Sequence, residues 1–252
     1  NGFHLEPKFP CRGNQPLRQK FRPDMFAILV PRRCHPRTYG LLMSSRPLIV
    51  SDCDEVLLHM VAPFRDWLGE EQGVTFKMDS ADFSKAMRYA KDGELVPPQE
   101  IWNLLNKFFD TEMYRQQAIA GAVAGINAVG KDADVVILTN LNDHRRDMRA
   151  QQLADVGINA RVFTNQGPKG PALKAILDEY NPSRALFIDD LPQHHDSVSQ
   201  LTPEVIRLHL CGEPLLSPHI DCAHKAGHAH ARIDDWEAAL PWILEQIHGE
   251  DS

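Results

Sequence analysis

Two aspartates, Asp52 and Asp54, directly follow a short apolar run, and paired carboxylates of this kind can bind a metal ion or act in catalysis. The run at 47–50 predicts a buried strand. At about 4 Å and an effective dielectric near 20, two like charges repel by roughly 4 kcal/mol. Mg²⁺ prefers oxygen ligands and would offset this repulsion. This spacing alone is also typical of a solvated turn, so the prediction depends on the rest of the chain.

The second half of the chain alternates between strand and helix patterns. Four apolar runs predict strands, at 135–138, 160–164, 185–188 and 205–210. Amphipathic segments lie between them, and a further one ends the chain. This alternation is typical of a parallel sheet covered by helices on both faces. We therefore predict an α/β fold, a three-layer Rossmann-like core formed by residues 43–59 and 133–252.

Residues 60–132 have a different pattern, which predicts a small helical unit inserted after the first strand. Ile101, Leu104, Leu105 and Phe108 have helical spacing, and the same spacing recurs at 119–126. The segment is rich in aromatic residues, most of which we expect to form its own core. We interpret it as a separate α-helical domain.

The polar residues that end the predicted strands should meet at one edge of the sheet. In an open parallel sheet, ligands bind at the carboxyl ends of the strands, near the switch in strand order. A lysine at the start of a helix should join this edge. The residues concerned are Asp52, Asp54, Thr139, Asn140, Lys169, Asp189 and Asp190.

This set of residues suits phosphoryl transfer through a covalent intermediate. Asp52 would attack phosphorus, and Asp54 would protonate the leaving oxygen and then activate water. Thr139 and Asn140 would bind phosphoryl oxygens, and Lys169 would offset the charge of the transition state. Asp189, with Asp190 beside it, would complete a Mg²⁺ site.

The motifs Asp52-Cys53-Asp54, Leu138-Thr139-Asn140, Lys169 and Phe187-Ile188-Asp189-Asp190 resemble, in this order, those of the haloacid dehalogenase-like hydrolases. The resemblance spans roughly residues 47–210. It implies a Rossmann-like core, an aspartyl nucleophile, Mg²⁺ dependence and a mobile cap formed by the helical insertion. The implied metal ligands are the Asp52 side chain, the Asp54 carbonyl and Asp189, with Asp190 as a further candidate.

One position departs from the family pattern, and the identity of the lysine leaves two candidates. Glu55 occupies a place that is usually Gly, where a side chain could alter the local turn or crowd the site. Lys174 is an alternative to Lys169, which we favour because it precedes its helix. Asp54 favours a phosphatase over a dehalogenase of small haloacids, since halide leaves without a proton. A non-catalytic binding or regulatory protein with this fold is the other alternative.

Composition narrows the classes of partner. Residues 1–42 carry eight basic and two acidic residues, a net charge of +6, whereas the whole 252-residue chain carries −7. The acidic remainder argues against nucleic acid as a partner. No apolar run approaches the ~20 residues that span a membrane. Five irregularly spaced cysteines favour a reducing, cytoplasmic location. We expect a small phosphorylated metabolite as substrate, with sugar phosphates, nucleotides and other esters all open.

We make structural predictions for three further parts of the chain. The Pro- and Arg-rich residues 1–42 are expected to be an upstream or non-native extension before a start at Met43, or a targeting peptide. The segment 219–230, with four histidines and Cys222, could bind metal, but we favour a solvated loop. His194 and His195 are expected to form a surface pair at a helix N-terminus, and Cys53 is expected to pack on the opposite side of the strand from the aspartates.

Overall fold

The computed structural model describes residues 46–78 and 82–249, and these belong to one compact unit. The extension predicted for residues 1–42, the expected start at Met43, and Cys11 and Cys34 lie outside the described residues.

Six parallel strands form the central sheet, in the order β5-β4-β1-β6-β7-β8. Strand β1 lies in the middle, and the chain passes first to one side of it and then to the other. The α/β fold with a Rossmann-like parallel sheet is therefore confirmed. The two-residue strand β8 was not predicted. The strands are β1 (Leu48–Ser51), β4 (Asp134–Thr139), β5 (Arg161–Thr164), β6 (Ala185–Asp189), β7 (Ile206–His209) and β8 (Ala231–Arg232).

Helices cover both faces of this sheet. On one face Ile49, Ile137 and Leu186 pack with α3 (Ala122–Val129), α4 (Arg146–Asp155) and α7 (Trp236–His248). On the other face Val50, Val136 and Phe187 pack with α5 (Gly170–Tyr180) and α6 (Pro192–Leu201). The alternating inward and outward side chains of each strand thus supply two separate cores. Among the described helices, none is long and apolar enough to cross a membrane.

The segment between β1 and α3, which we call the insert, is not entirely helical. Helices α1 (Val61–Trp67) and α2 (Pro98–Thr111) flank an antiparallel pair, β2 (Val74–Phe76) and β3 (Met87–Tyr89). The prediction of an all-helical insertion is wrong at this hairpin. In both strands a buried side chain is followed by an exposed one, as in a half-buried strand. Strands of three residues are too short for this alternation to be recognised in the sequence.

The insert has its own core, which we call the insert cluster. Its buried members are Phe64, Trp67, Leu68, Val74, Met87, Val96, Ile101, Leu104 and Phe108. Helix α3 falls within the predicted cap range of 60–132, yet it packs against the sheet together with α7 and not within the insert cluster. The cap assignment itself stays a prediction.

Candidate active site

Three neighbouring strands deliver polar residues to the same edge of the sheet. Asp52 directly follows β1, while Thr139 and Asp189 are the last residues of β4 and β6. Ser51 of β1 pairs in register with Ile137 of β4 and with Ile188 of β6, so the three strands end at nearly the same level. The apolar strands are fully buried, and their ends therefore hold the polar side chains in a rigid frame.

Lys169 links two of these carboxylates. Its Nζ lies 2.7 Å from Asp52 Oδ1 and 2.7 Å from Asp189 Oδ2, and its side chain is fully buried. The residue precedes α5, so the helix start positions it at the edge of the sheet. Lys174, the alternative, lies one turn farther along and forms an exposed pair with Asp178. The structure thus places Lys169, and not Lys174, among the strand ends.

The charges in this cluster do not balance. Burial raises the pKa of Asp52 to about 7, with help from Asp189 and Asp54, although Lys169 opposes the shift. Burial and the carboxylates of Asp189, Asp52 and Glu55 also raise the pKa of Asp190 well above its usual value. Burial favours the neutral forms of Asp189 and Lys169 as well, but their mutual attraction lowers the pKa of Asp189 and raises that of Lys169.

A divalent cation fits this cluster. Asp52, Asp189 and Asp190 are all buried, and one carboxylate oxygen of each lies within 4.8 Å of the others. Lys169 supplies a single positive charge against three carboxyl groups, and hard oxygen ligands are those that Mg²⁺ prefers. Asp190, included in the sequence analysis only as a further candidate, therefore belongs geometrically with the other two.

The Asp54 side chain points to different partners. Arg149 Nη2 donates to both of its oxygens, at 3.0 and 3.2 Å, and Gln116 Nε2 donates to Oδ1 at 2.7 Å. Arg149 is fully buried and also contacts Cys53 Sγ at 3.0 Å. Asp54 is thus fixed at the wall of the site by residues that the sequence analysis missed. The sequence contained one indication that Arg149 is buried, since Arg149 and Leu153 lie four residues apart and share one face of α4.

Glu55 adopts the backbone conformation that favours glycine, with φ of 61°. Its Oε1 accepts hydrogen bonds from the backbone N–H groups of Met60 and Val61, at the start of α1. Burial and nearby Glu213 raise the pKa of Glu55 to about 8. Glu55 thus connects the strand end to the first helix of the insert.

Glu213 forms a second connection between the sheet and the insert. Its Oε2 lies 2.8 Å from His59 Nδ1, just before α1, and its Oε1 accepts from the Leu215 N–H. The Glu213 side chain is almost completely buried. Glu55 and Glu213 together hold the short segment by which the chain leaves β1 and enters the insert.

Thr139 and Asn140 occupy different environments despite being adjacent. Thr139 is fully buried, and within the described part of the chain its Oγ1 forms no hydrogen bond. Asn140 Nδ2 donates to the Gly167 carbonyl at 3.0 Å, and Asn140 Oδ1 accepts from Asn165. Thr139 therefore keeps an unused hydroxyl beside the strand ends, whereas Asn140 is tied to the loop before Lys169.

The histidine pair beside the last motif is buried, so the prediction of a surface position is wrong. His195 is fully buried and its Nε2 lies 2.9 Å from the Asp189 carbonyl; His194 Nε2 lies 3.3 Å from Asn140 Nδ2. Both residues share a helix face with Val198, and this spacing could have predicted their burial. Burial lowers the pKa of His195 to about 4, so its imidazole is neutral near pH 7 and contacts the Asp189 backbone without adding charge.

Histidines in the segment 219–230 form local contacts with the chain. His230 Nδ1 accepts from the Arg207 N–H, and His224 Nδ1 lies 3.1 Å from the Ala229 carbonyl. His228 lies 3.4 Å from Asp196. Cys53 packs in the sheet core as expected, but the prediction that it lies on the opposite side from both aspartates is wrong, because the Arg149 guanidinium contacts both Cys53 Sγ and the Asp54 carboxylate. Burial raises the pKa of Cys53 to about 12, so it has the character of an inert thiol.

A cavity of about 750 Å³ opens onto the strand ends and extends to the insert. Asp52, Asp54, Asn140 and Asp190 form part of its wall, together with Glu55 and His194. Side chains of α2 and of the loop after β7 form the other side. The cavity is large enough for a small organic molecule beside the carboxylate cluster.

The fold is shared with solved hydrolase structures. A haloacid dehalogenase-family hydrolase from Deinococcus radiodurans R1, solved with bound phosphate and sodium, is 18% identical with a TM-score of 0.56, covering 82% of this chain and 97% of its own. A haloacid dehalogenase-like protein of unknown function from Agrobacterium tumefaciens is 16% identical with a TM-score of 0.58, covering 80% and 99%.

A third structure, a predicted phosphoglycolate phosphatase from Haemophilus somnus, is 11% identical with a TM-score of 0.54, covering 80% of this chain and 99% of its own. No protein-family model matches the sequence, and no curated protein matches it. At these identities the likeness concerns the fold.

Proposed function

Because the fold is that of the haloacid dehalogenase-like hydrolases, we propose that this protein hydrolyses a small phosphate monoester with Mg²⁺, through an aspartyl-phosphate. One observation carries the proposal: Lys169 lies 2.7 Å from both Asp52 and Asp189 where three adjacent strands end. A phosphate bound in the Deinococcus structure is consistent with this chemistry.

In the proposed first step, an Asp52 oxygen attacks phosphorus and the bond to the alcohol oxygen breaks. Asp54 gives a proton to that leaving oxygen, so the products are a free alcohol and the phosphorylated Asp52. Arg149 and Gln116 hold the Asp54 carboxyl at the cavity wall, where the leaving group would lie.

In the second step, water attacks phosphorus while Asp54 takes its proton, which releases phosphate and regenerates Asp52. The free hydroxyl of Thr139 would donate to a phosphoryl oxygen, and the Lys169 ammonium would offset the negative charge there. Mg²⁺, held by Asp52, Asp189 and Asp190 with the Asp54 carbonyl, would supply further positive charge to the phosphoryl oxygens.

The test is hydrolysis of p-nitrophenyl phosphate by the full chain, with Mg²⁺ or with EDTA. We expect Mg²⁺-dependent turnover that Asp52→Asn reduces by at least a thousandfold, since it removes the nucleophile. Asp178→Asn is the matched control, because Asp178 is exposed and pairs with Lys174 away from the cavity. Full turnover by Asp52→Asn would refute the mechanism. Phosphate binding without any turnover would favour the binding-protein alternative.

A further inference from the structure

Helix α2 carries two apolar stripes, of which one is buried in the insert cluster and the other borders the cavity. Ile101, Leu104 and Phe108 are buried in that cluster. Trp102, Leu105 and Phe109 form a second stripe at positions i, i+3 and i+7 along the same helix, and all three line the cavity. Leu105 and Phe109 also pack against the edge of the insert cluster, whereas Trp102 is not among its members, so an apolar side chain at Trp102 requires another explanation.

Trp102 makes this second stripe unusual, since 63% of its surface is exposed. Across the cavity, Phe83 of the insert and Leu216 and Ile220 of the loop after β7 present further apolar side chains. The same cavity is also lined by Asp52 and Asp190 of the carboxylate cluster. An apolar wall that is continuous with a carboxylate cluster suits a molecule with one apolar end and one charged end.

Charge further restricts the occupant. In the described part of the chain, the cavity wall contains no Lys or Arg, and its carboxyl groups are those of Asp52, Asp54, Glu55, Asp190 and Asp221. The nearby buried cations, Lys169 and Arg149, are already paired with carboxylates. Burial lowers the pKa of His194, which lines the cavity, so it offers no positive charge at neutral pH. Apart from His194 and His219, no basic side chain of the described residues lines this wall to pair with a second anionic group on the substrate.

We infer that the substrate is a phosphate monoester of an uncharged, apolar alcohol, with its body packed against the Trp102 stripe. This inference rests on the proposed function and adds the substrate class. It disfavours esters that carry a carboxylate or a second phosphate. Burial of each additional CH₂ contributes about 0.8 kcal/mol, about a fourfold gain in binding, so a phenyl group should produce a large preference.

The test compares phenethyl phosphate with carboxybutyl phosphate, using the full chain with Mg²⁺. Both are primary alkyl esters, so their leaving groups have similar intrinsic reactivity. We expect kcat/KM to be at least tenfold higher for phenethyl phosphate. Equal values, or a preference for the carboxylated ester, would overturn the inference while leaving the phosphatase proposal standing.

If no phosphate ester is hydrolysed, the proposed function fails, and binding then decides the cavity inference by itself. Calorimetry with wild-type protein would compare phenethylphosphonate with carboxybutylphosphonate. Tighter binding of the aryl compound by tenfold or more supports an apolar cavity, and equal binding refutes it.

Two variants connect the preference to α2. Trp102→Ala should raise KM for phenethyl phosphate about tenfold, and Trp102→Phe should recover most of this loss. Tyr114→Ala is the matched control, because Tyr114 is an aromatic residue of the insert that is 74% exposed and lies outside the cavity wall. A thermal melt of each variant checks folding. An unchanged KM in folded Trp102→Ala would contradict the role of the stripe.

Discussion

Replacement of Glu55 by glycine tests whether this side chain holds the insert to the sheet. In the family pattern this position is usually glycine, and φ of 61° would suit glycine well. The substitution removes the acceptor of the Met60 and Val61 N–H groups. Met60 is the N-cap residue of α1 and its own side chain makes no capping bond, so no residue of the helix replaces Glu55.

The expected loss of stability follows from these contacts. Two hydrogen bonds contribute about 1 kcal/mol each. Relief of the left-handed conformation would return about 1 kcal/mol, but the greater freedom of glycine in the unfolded chain costs a similar amount. We therefore expect Glu55→Gly to lower the free energy of unfolding by about 2 kcal/mol. Glu55→Ala has the same strained backbone as wild type, so it loses only the two hydrogen bonds and should also be less stable by about 2 kcal/mol.

Urea unfolding of the full chain at neutral pH measures these differences. Glu55→Gln is the matched control, because an amide oxygen can still accept both hydrogen bonds, and it should lie within about 1 kcal/mol of wild type. A glycine variant as stable as wild type would refute the reasoning, since Glu55 would then occupy the turn without holding α1.

Two further predictions concern ion pairs, one that holds Asp54 and one between α2 and the segment before α4. Arg149→Lys should lower kcat about tenfold with little change in KM, because lysine cannot contact both Asp54 oxygens and Cys53 together. Steady-state kinetics would measure this, with Arg146→Lys, an exposed neighbour on α4, as the control. An unaltered kcat in Arg149→Lys would contradict the prediction. The Arg145 guanidinium lowers the pKa of Asp110. At pH values above the usual Asp pKa, this ion pair should therefore stabilise the fold by up to about 1 kcal/mol, and the contribution should be lost as the pH falls through the lowered pKa. Asp110→Asn should therefore differ from wild type in chemical denaturation at pH 7 but not at strongly acidic pH, and a constant difference would be evidence against the pair.

Much of the fold could be predicted because parallel strands are apolar throughout and end abruptly. The sequence patterns around Val50, Leu138 and Ile188 each combine an apolar run with polar residues directly after it. Such a pattern depends only on neighbours along the chain. The placement of Lys169 followed from its position before a helix, which is also a local property.

The features that escaped prediction depend on distant parts of the chain. Arg149 is buried because Asp54, 95 residues earlier, accepts its hydrogen bonds, and no local pattern specifies that partner. His195 is buried against the Asp189 carbonyl, although its neighbours in sequence are polar. The hairpin of β2 and β3 contains only three residues in each strand, so pairing with its partner, and not periodicity, determines it.

The two stripes of α2 have a consequence for how this protein can diverge. Buried side chains that hold the insert together alternate along one helix with side chains that face the cavity, and of the latter Leu105 and Phe109 also pack against the insert cluster whereas Trp102 does not. A substitution at half-buried Leu105 or exposed Trp102 removes less packing than one at buried Leu104. Related chains could therefore acquire new preferences through position 102 while keeping the same folded insert, so that selection for substrate at this position acts separately from selection for stability at Leu104.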